Sequence, residues 1–566
     1  MMKSSDMTRI SAAEALLRRL KDVGVDYLFA NAGTDFPSII EAYAQARPGA
    51  DMPLPLAITH EAVAMGMAHG CYLAAGRAQA VMVHVNVGLA NALMGLINAA
   101  SDNVPVMLLS GRTPVTEQGR SGSRTTPIHW GQEMRDQAGM IRELVKWDYE
   151  LRYPEQTTAA VDRAWAIAHS EPRGPVYLSL PREPLSEAIE AIPAGAPPSP
   201  PKPGAPDREA LDAAAALLAG ARRPLLIAHR GTGARGFEPL AGFAERHAIP
   251  VVEFWPTRNS LSTEHPMHVG RDPGPWLAEA DLVIVLDARV PWIPQGTSLA
   301  DGCKVIGIGP DPLFSTTPMR GFDADVCLAG AADQALIALS QTLASGMPPG
   351  DALAQRRQEI ARRRGEAGAA LQARARSGRG APMTAGWASL CLSEAKDADA
   401  MLFNELGVEP AVMSFSQPST LFCNPLSGGL GWAMSAALGA QLAAPERQVI
   451  ACMGDGSYIF ANPVACHQTA AALGLPILTV VFNNGVWNAV RRATLAMYPD
   501  GAAARANVMP LTSLGPPPDY CAVAAAHGAF AQRVEHGDAL PDAIARAFDV
   551  IRRERRQAFL DVLVSY

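Results

Sequence analysis

The chain has no apolar run on the order of eighteen residues, so no membrane-spanning helix is expected. The N-terminus, MMKSSDMTRISAAEALLRRL, has no long apolar stretch of the kind a secretion signal needs, so no signal peptide is expected. The eight cysteines are scattered singly with no C-x-x-C pair, which argues against a disulfide framework. Reduced, mostly buried thiols and a cytoplasmic protein are the expectation. There is no excess of basic residues. The formal net charge of −7 disfavours a nucleic-acid or membrane-surface partner. No short-period repeat is present, which excludes a solenoid.

What is present suits a compact protein: hydrophobic residues make up 48% of the chain and charged residues 18%. At 566 residues it is too long for one core. Short apolar runs alternate with helical patterns: AQAVMVHV, VPVMLLSG, RPLLIAH, DLVIVLD, KVIGIG, QVIACMG and LPILTVVFNN. Buried strands separated by helices predict parallel sheets in an α/β architecture. Near the start, Ser11 and Glu14 match a capping box ahead of a helix with Leu16, Leu17, Leu20 and Val23 on its apolar side. AGAPPSPPKPGAP, ending at Pro206, reads as a linker. RRQEIARRRGEAGAALQARARSGRGAP, ending at Pro382, reads as a basic, solvated connecting helix followed by a flexible loop. Three doubly wound α/β domains are predicted, over 8–190, 207–342 and 383–566.

The most informative stretch is ACMGDGSYIFANPVACHQTAAALGLPILTVVFNNGVWNAV, Ala451 to Val490. Asp455 stands between Gly454 and Gly456 after a buried run, and Ser457 could open a helix there, its free N–H groups suited to a phosphate. The next apolar run ends at Asn483 and Asn484. In a parallel sheet both strand ends lie on one edge, so Asp455 and Asn484 can converge. A carboxylate, an amide oxygen, a backbone carbonyl and phosphate oxygens suit a hard cation such as Mg²⁺.

This spacing resembles the diphosphate motif of thiamine diphosphate-dependent enzymes, which begins with GDG and ends with NN. The resemblance extends along nearly the whole chain. It implies an N-terminal pyrimidine-binding domain, a central Rossmann-like domain and a C-terminal diphosphate-binding domain. It also implies active sites at the interface of a homodimer or homotetramer. By the match, Glu61 in ITHEAVAMGMAHG is the carboxylate that activates the cofactor's aminopyrimidine. Asp455, Asn484 and the Val486 carbonyl hold Mg²⁺. Gly454, Gly456, Ser457 and Trp487 lie along the cofactor. NPLSGGLGWAMSAALGAQLAA resembles benzoylformate decarboxylase and acetohydroxyacid synthases, with Gly429 and Leu430 placed under the cofactor. In NELGV, Gly407 and Val408 would reach the diphosphate through backbone groups, where relatives use hydroxyl side chains.

Within the family, His84 in VHVNVG matches benzoylformate decarboxylase, whereas acetohydroxyacid synthases have a glycine-proline-glycine turn there. FANAGTDFP resembles that decarboxylase's active-site loop, with Thr34 in place of a serine that can hold a carboxylate or oxyanion. Its second active-site histidine has no counterpart: DARVPWIPQGTS carries Trp292 instead. His129, in extra residues before Met140, is a candidate substitute. Gln132 and Glu133 match a Gln-Glu pair of the acetohydroxyacid synthases. Trp487, Val490 and Ala493 are expected to line the substrate pocket.

The resemblance implies non-oxidative decarboxylation of a 2-oxo acid with carboligase side activity, the substrate being a small-molecule 2-oxo acid or hydroxyketone. The alternatives are an acetohydroxyacid synthase-like transferase and a non-catalytic cofactor-binding subunit. Gly231, Gly233 and Gly236, with Arg230, Arg235 and Glu253 nearby, fit a dinucleotide fingerprint that would take FAD or ADP in the central domain. A lone fingerprint specifies little, and an empty central domain is the expectation.

Overall fold

The computed structural model describes residues 9–46, 51–191, 195–230, 238–343 and 350–565. Every apolar run singled out in the sequence is a strand, and each belongs to one of three parallel sheets. The N-terminal sheet contains β1 (Tyr27–Ala30), β2 (Leu54–Ala57), β3 (Ala80–Val83), β4 (Met107–Arg112), β5 (Asp148–Glu150) and β6 (Val176–Pro181). Their order across the sheet is β2-β1-β3-β4-β6-β5. The central sheet holds β7 (Pro224–Ala228), β8 (Val251–Glu253), β9 (Leu282–Leu286), β10 (Lys304–Gly309) and β11 (Val326–Ala329), ordered β8-β7-β9-β10-β11. In the C-terminal sheet are β12 (Met401–Glu405), β13 (Leu421–Cys423), β14 (Val449–Gly454), β15 (Leu478–Asn483), β16 (Phe530–Val534) and β17 (Ala558–Leu563). That order is β13-β12-β14-β15-β17-β16.

The central strands are largely apolar because helices cover both faces of each sheet; Leu282–Leu286 is buried at every position. In all three sheets the first strand is flanked by the second on one side and the third on the other. The direction of winding reverses between the first and third strands, which opens a crevice at their carboxyl ends. Site residues are therefore expected after β1 and β3, and again after β12 and β14.

The N-terminal sheet begins behind α1 (Ala12–Asp22), whose N-cap Ser11 accepts the Glu14 N–H at 3.1 Å. Leu16, Leu17 and Leu20 of that helix are buried in the sheet's core. Two further helices matter for the site: α3 (Glu61–Ala75) and α4 (Val85–Ser101), with α2 (Pro37–Gln45) between β1 and β2. The Trp432–Ala443 helix clusters with this unit rather than with the C-terminal sheet that surrounds it in sequence. Its seam with α3 is built from small residues. A Cβ on Gly70 would fall 1.8 Å from the Ala436 carbonyl oxygen, and one on Gly439 would fall 1.9 Å from that of Met67. Cys71 donates its thiol to the Gly439 carbonyl at 3.0 Å.

The central and C-terminal sheets form the second compact unit. The basic run lies in α7 (Gly350–Ser377), and its arginines are engaged within the unit. Arg356 donates to Ala221 O and His247 O, the carbonyls ending α5 (Arg208–Gly220) and α6 (Glu238–His247). Cations at helix C-termini satisfy orphan carbonyls and oppose the helix dipole. Arg363 lies over the Trp276 ring at 4.0 Å and donates to Pro275 O, while Arg374 pairs with Glu409 at 2.7 Å. The basic helix is thus a clamp. All eight cysteines are free, five of them buried. No helix among the described residues is long and apolar enough to cross a membrane.

Candidate active site

At the crevice of the N-terminal sheet, the loop after β1 meets the residue after β3. His84 directly follows β3 and is the N-cap position of α4. Its Nδ1 lies 2.5 Å from Asp35 Oδ1. Asp35 is only 3% exposed, and its second oxygen accepts the Val85 N–H at 3.1 Å. Two glycines leave the room: a Cβ on Gly33 would sit 2.2 Å from the His84 ring, and one on Gly111 would sit 1.8 Å from Asp35 Oδ2. Val85 has φ +34, a conformation that costs a β-branched residue about 1–3 kcal/mol and persists only when its surroundings enforce it. The Asp35 hydrogen bond raises the His84 pKa above the usual histidine value, burial opposes it, and the charge of Glu61 adds to it.

Gln132 approaches the other side of the ring, its Nε2 3.2 Å from His84 Nε2. The loop that carries it is anchored by buried polar groups. Gln137 donates to Ser110 Oγ, Gly111 O and the Tyr177 hydroxyl oxygen, and Glu183 accepts from Thr116. Glu133, next in sequence, pairs with both Arg112 and Arg124. His129 is 3% exposed, and donors face both its nitrogens: Thr125 N–H at 3.2 Å and Arg182 at 3.4 Å. Desolvation, with Arg182 and Arg124 nearby, pushes its pKa down. Thr34 is exposed beside Asp35.

Glu61 opens α3, one residue after the N-cap His60, and is 7% exposed. Asn91 of α4 donates to its Oε2 at 3.2 Å. In the same unit Leu430 is half-buried in a loop held by Asn98, which donates to Gly429 O at 2.9 Å and accepts from Ser427 Oγ at 2.7 Å. Asp35, Asn91 and Asn98 drew no notice in the sequence. The hydroxyl-for-serine comparison at Thr34 pointed one residue short of Asp35.

In the second unit, the convergence expected of the C-terminal sheet is present. Asp455 Oδ2 accepts the Gly485 N–H at 2.7 Å, joining the turn after β14 to the turn after β15. A short helix (Asp455–Phe460) starts at Asp455 with Gly454 as its N-cap, two residues before the expected opening at Ser457. Trp487 packs over Gly456, where a Cβ would come 2.3 Å from the indole. The two asparagines differ in work. Asn483 donates to Asp561 at 2.9 Å inside the core, while Asn484 Oδ1 accepts from Val486 N–H at 3.1 Å at the half-buried turn. The Val486 carbonyl accepts from Asn488 N–H at 2.8 Å and retains a second lone pair.

Burial raises the Asp455 pKa, the Gly485 and Gly456 N–H groups oppose this, and Asp561 adds to it. Among the described residues no cationic side chain pairs with Asp455 and no group of three or more His, Cys, Asp or Glu is gathered for a metal. A desolvated carboxylate beside an amide oxygen and a carbonyl, without a protein cation, fits a divalent ion whose remaining ligands come from a bound diphosphate.

Elsewhere the structure departs from expectation. The Gly407 and Val408 N–H groups both donate to Asn404 Oδ1 at 3.0 Å, so neither is free for a diphosphate. Trp292 is 6% exposed and packs edge-on against Phe322 in the core of the central domain. Val490 and Ala493 lie exposed on the helix Asn488–Met497. Glu253 is fully buried. Burial alone would raise its carboxyl, but His268, Arg271 and the Ser260 N–H hold it low, so it is committed inside the domain instead of facing a ribose. Arg230 is buried within 3.8 Å of Asp287. Gly231, Gly233, Arg235 and Gly236 lie outside the described residues.

Sequence models of thiamine pyrophosphate enzymes match along the chain: the N-terminal TPP binding domain at 10–140, the central domain at 211–339 and the C-terminal TPP binding domain at 408–562. The chain belongs to the thiamine pyrophosphate enzyme family. It is 28% identical to the probable 2-ketoarginine decarboxylase of Pseudomonas aeruginosa, over 94% of this chain and 90% of that one. It is 26% identical to the acetolactate synthase isozyme 3 large subunit of Escherichia coli, over 99% and 96%. The solved structure of a 4-hydroxybenzoylformate decarboxylase from Rhodococcus jostii superposes with a TM-score of 0.76 at 22% identity, covering 98% and 99%, which speaks to the shared fold. As a family member the chain has binding domains for thiamine diphosphate at both ends, and decarboxylases and acetolactate synthases are both among its relatives.

Proposed function

We propose that the protein is a thiamine diphosphate- and Mg²⁺-dependent 2-oxo acid decarboxylase with carboligase side activity. The observation that carries this reading is His84, held by Asp35 at the crevice of the N-terminal sheet with its pKa raised. A site that must finish by protonating a carbon needs such a donor, and a synthase does not.

Bound thiamine diphosphate would supply a nucleophilic carbon that adds to the substrate carbonyl and takes up the electron pair left when carbon dioxide departs. Asp455, Asn484 and the Val486 carbonyl would hold Mg²⁺ against the diphosphate, with Gly454, Gly456, Ser457 and Trp487 along it. Glu61, oriented by Asn91, would bond the aminopyrimidine ring, and Leu430 would support the cofactor from below. Thr34 would hold the substrate carboxylate, and His84 would deliver the proton that releases an aldehyde. Val490 and Ala493 are exposed within a single chain, which agrees with a pocket completed in a homodimer or homotetramer. A cytoplasmic location fits the eight free thiols.

A second reading, an acetohydroxyacid synthase-like transferase, is favoured by Gln132 at the His84 ring, since Gln132-Glu133 matches a pair found in those enzymes. The two readings divide on whether a proton or a second carbonyl arrives first. The test loads the protein with thiamine diphosphate and Mg²⁺ and follows products by NMR. The panel is pyruvate, 2-oxobutyrate, branched 2-oxo acids, benzoylformate and 2-ketoarginine, each with and without an added aldehyde. Free aldehyde, lost in His84→Phe, supports the decarboxylase. A hydroxyketone formed without free aldehyde moves the protein to the transferase.

A further inference from the structure

Asp35 and Gln132 address the two nitrogens of His84 in chemically different ways. A carboxylate can only accept, so the Asp35 contact at 2.5 Å keeps a hydrogen on Nδ1 in every state of the ring. A carboxamide can do either. With its nitrogen turned to His84 Nε2 at 3.2 Å, Gln132 donates to the lone pair of a neutral ring. Its other atom, Oε1, is buried with no hydrogen-bond partner among the described residues. A buried polar atom left unpaired costs free energy, and a structure retains one where another state uses it. Half a turn of the amide would bring Oε1 to Nε2, where it would accept from the N–H of a cationic ring.

We propose that Gln132 and Asp35 are positioning residues that hold His84 in place in both of its charge states, the Gln132 amide turning over whenever the ring gains or loses its Nε2 proton. Asp35 fixes the ring's plane. Gln132 matches whichever character Nε2 has, so the ring need not move when the proton leaves. The proton comes from solvent to Nε2 and goes from there to the acceptor carbon; the amide rotation carries none.

Other charged or titratable groups around the ring are few. Glu61 at the start of α3 favours the cation, and His129 has its own pKa pushed down by burial and by Arg182 and Arg124. Glu133 is neutralised by Arg112 and Arg124. The Asp35 oxygen not facing the ring is occupied by Val85 N–H. The chemistry at Nε2 is therefore left to Gln132. The inference rests on the reading of His84 as proton donor, but its test reads the ring itself.

The measurement is residue-specific deuterium exchange at the imidazole Cε1 carbon, followed against pH by peptide mass spectrometry on the full-length protein with thiamine diphosphate and Mg²⁺. Its midpoint gives the His84 pKa without turnover. Asp35→Asn is expected to lower the midpoint by about one pH unit, a tenfold change in protonation. Gln132→Glu, which can only accept, is expected to raise it. Gln132→Met, which can do neither, is expected to leave it within about 0.3 of the parent, because an amide serving both states favours neither.

A rise of half a unit or more in Gln132→Met would show an amide fixed as donor, and a comparable fall one fixed as acceptor; either overturns the rotation. An unchanged midpoint in Asp35→Asn overturns the role of Asp35. If Asp35→Asn does not fold, the two Gln132 variants still decide the matter of the amide. A protein that makes no aldehyde yet shows these midpoints would refute the decarboxylase reading and leave the clamp standing.

Discussion

Asp455 and Gly485 share a hydrogen bond of 2.7 Å that ties two neighbouring strand ends, those of β14 and β15, together at the carboxyl edge of the C-terminal sheet. The asparagines on the second of those ends, adjacent in sequence, face different surroundings, and this separates their expected mutational effects. Asn484→Ala is expected to weaken Mg²⁺ retention about 10–100-fold while leaving the melting temperature nearly unchanged. Asn483→Ala removes the side-chain donor at 2.9 Å from the buried Asp561, leaving it only the longer pairing with Arg533, and is expected to cost about 1–3 kcal/mol of stability. Metal titration and thermal melting on the two variants would check both.

The raised pKa of Asp455 means that the folded protein without cofactor binds this proton more readily than the unfolded chain does. Its contribution to stability therefore falls as pH rises above the ordinary carboxylate value of 3.8 through the raised one. At neutral pH Asp455→Asn is expected to raise the melting temperature of the cofactor-free protein by about 2 °C and to abolish the stabilisation given by Mg²⁺ with thiamine diphosphate. A calorimetric scan with and without both would show it.

Glu61→Gln retains shape and a hydrogen bond to Asn91 but loses the carboxylate. Turnover is expected to fall by about 100- to 10,000-fold with the affinity for thiamine diphosphate much less affected. Asn91→Ala frees the carboxylate from its donor at 3.2 Å and is expected to cost less, about tenfold. Steady-state rates beside a cofactor titration by fluorescence would separate the two effects.

His169, His247 and His467 have pKa values pushed down to about 4, in each case chiefly by burial. The unfolded chain protonates near 6.5 and the folded one near 4, so stability is complete above the first value and is lost as pH falls between the two. Unfolding at pH 5 is expected to take up as many as three protons through these residues. Proton uptake measured by calorimetry in buffers of different ionisation enthalpy would count them. Gln557→Leu removes the acceptor at 2.8 Å from His467 Nδ1 and is expected to destabilise at neutral pH.

Along α7, Arg356→Ala is expected to cost about 1–3 kcal/mol, because it uncaps two helices at once. Arg362→Ala removes only exposed pairs with Glu359 and Glu366 and is expected to stay within about 0.5 kcal/mol. Urea midpoints of the two variants give the comparison.

The sheets were legible because their strands are buried on both faces and therefore continuous in hydrophobicity; DLVIVLD could hardly be anything else. The meeting of the turns that carry Asp455 and Asn484 was legible because neighbouring parallel strands end on one edge of a sheet, and their spacing resembles a family motif. Asp35 was not. An aspartate in the turn FANAGTDFP looks like any turn residue, and only strand order brings it to His84. Gly407 and Val408 misled for the converse reason: backbone N–H groups in a loop look free until a side chain such as Asn404 claims them. The basic run of α7 was recognised as a connecting helix, but the carbonyls its arginines reach at Ala221, His247 and Pro275 lie 88 to 135 residues away from them in sequence.

The seam between α3 and the Trp432–Ala443 helix has a consequence for how the protein can diverge. Where a glycine meets a carbonyl with no side chain between them, there is no spare volume. A change at Gly70 requires the backbone at Ala436 to retreat, so this seam can drift only through paired substitutions. The exposed face carrying Val490 and Ala493 is under no such restriction and can change one residue at a time. Ancestral variation should therefore accumulate on that helix while the segment Trp432–Ala443 stays nearly constant, so that the two parts of the chain diverge at different rates.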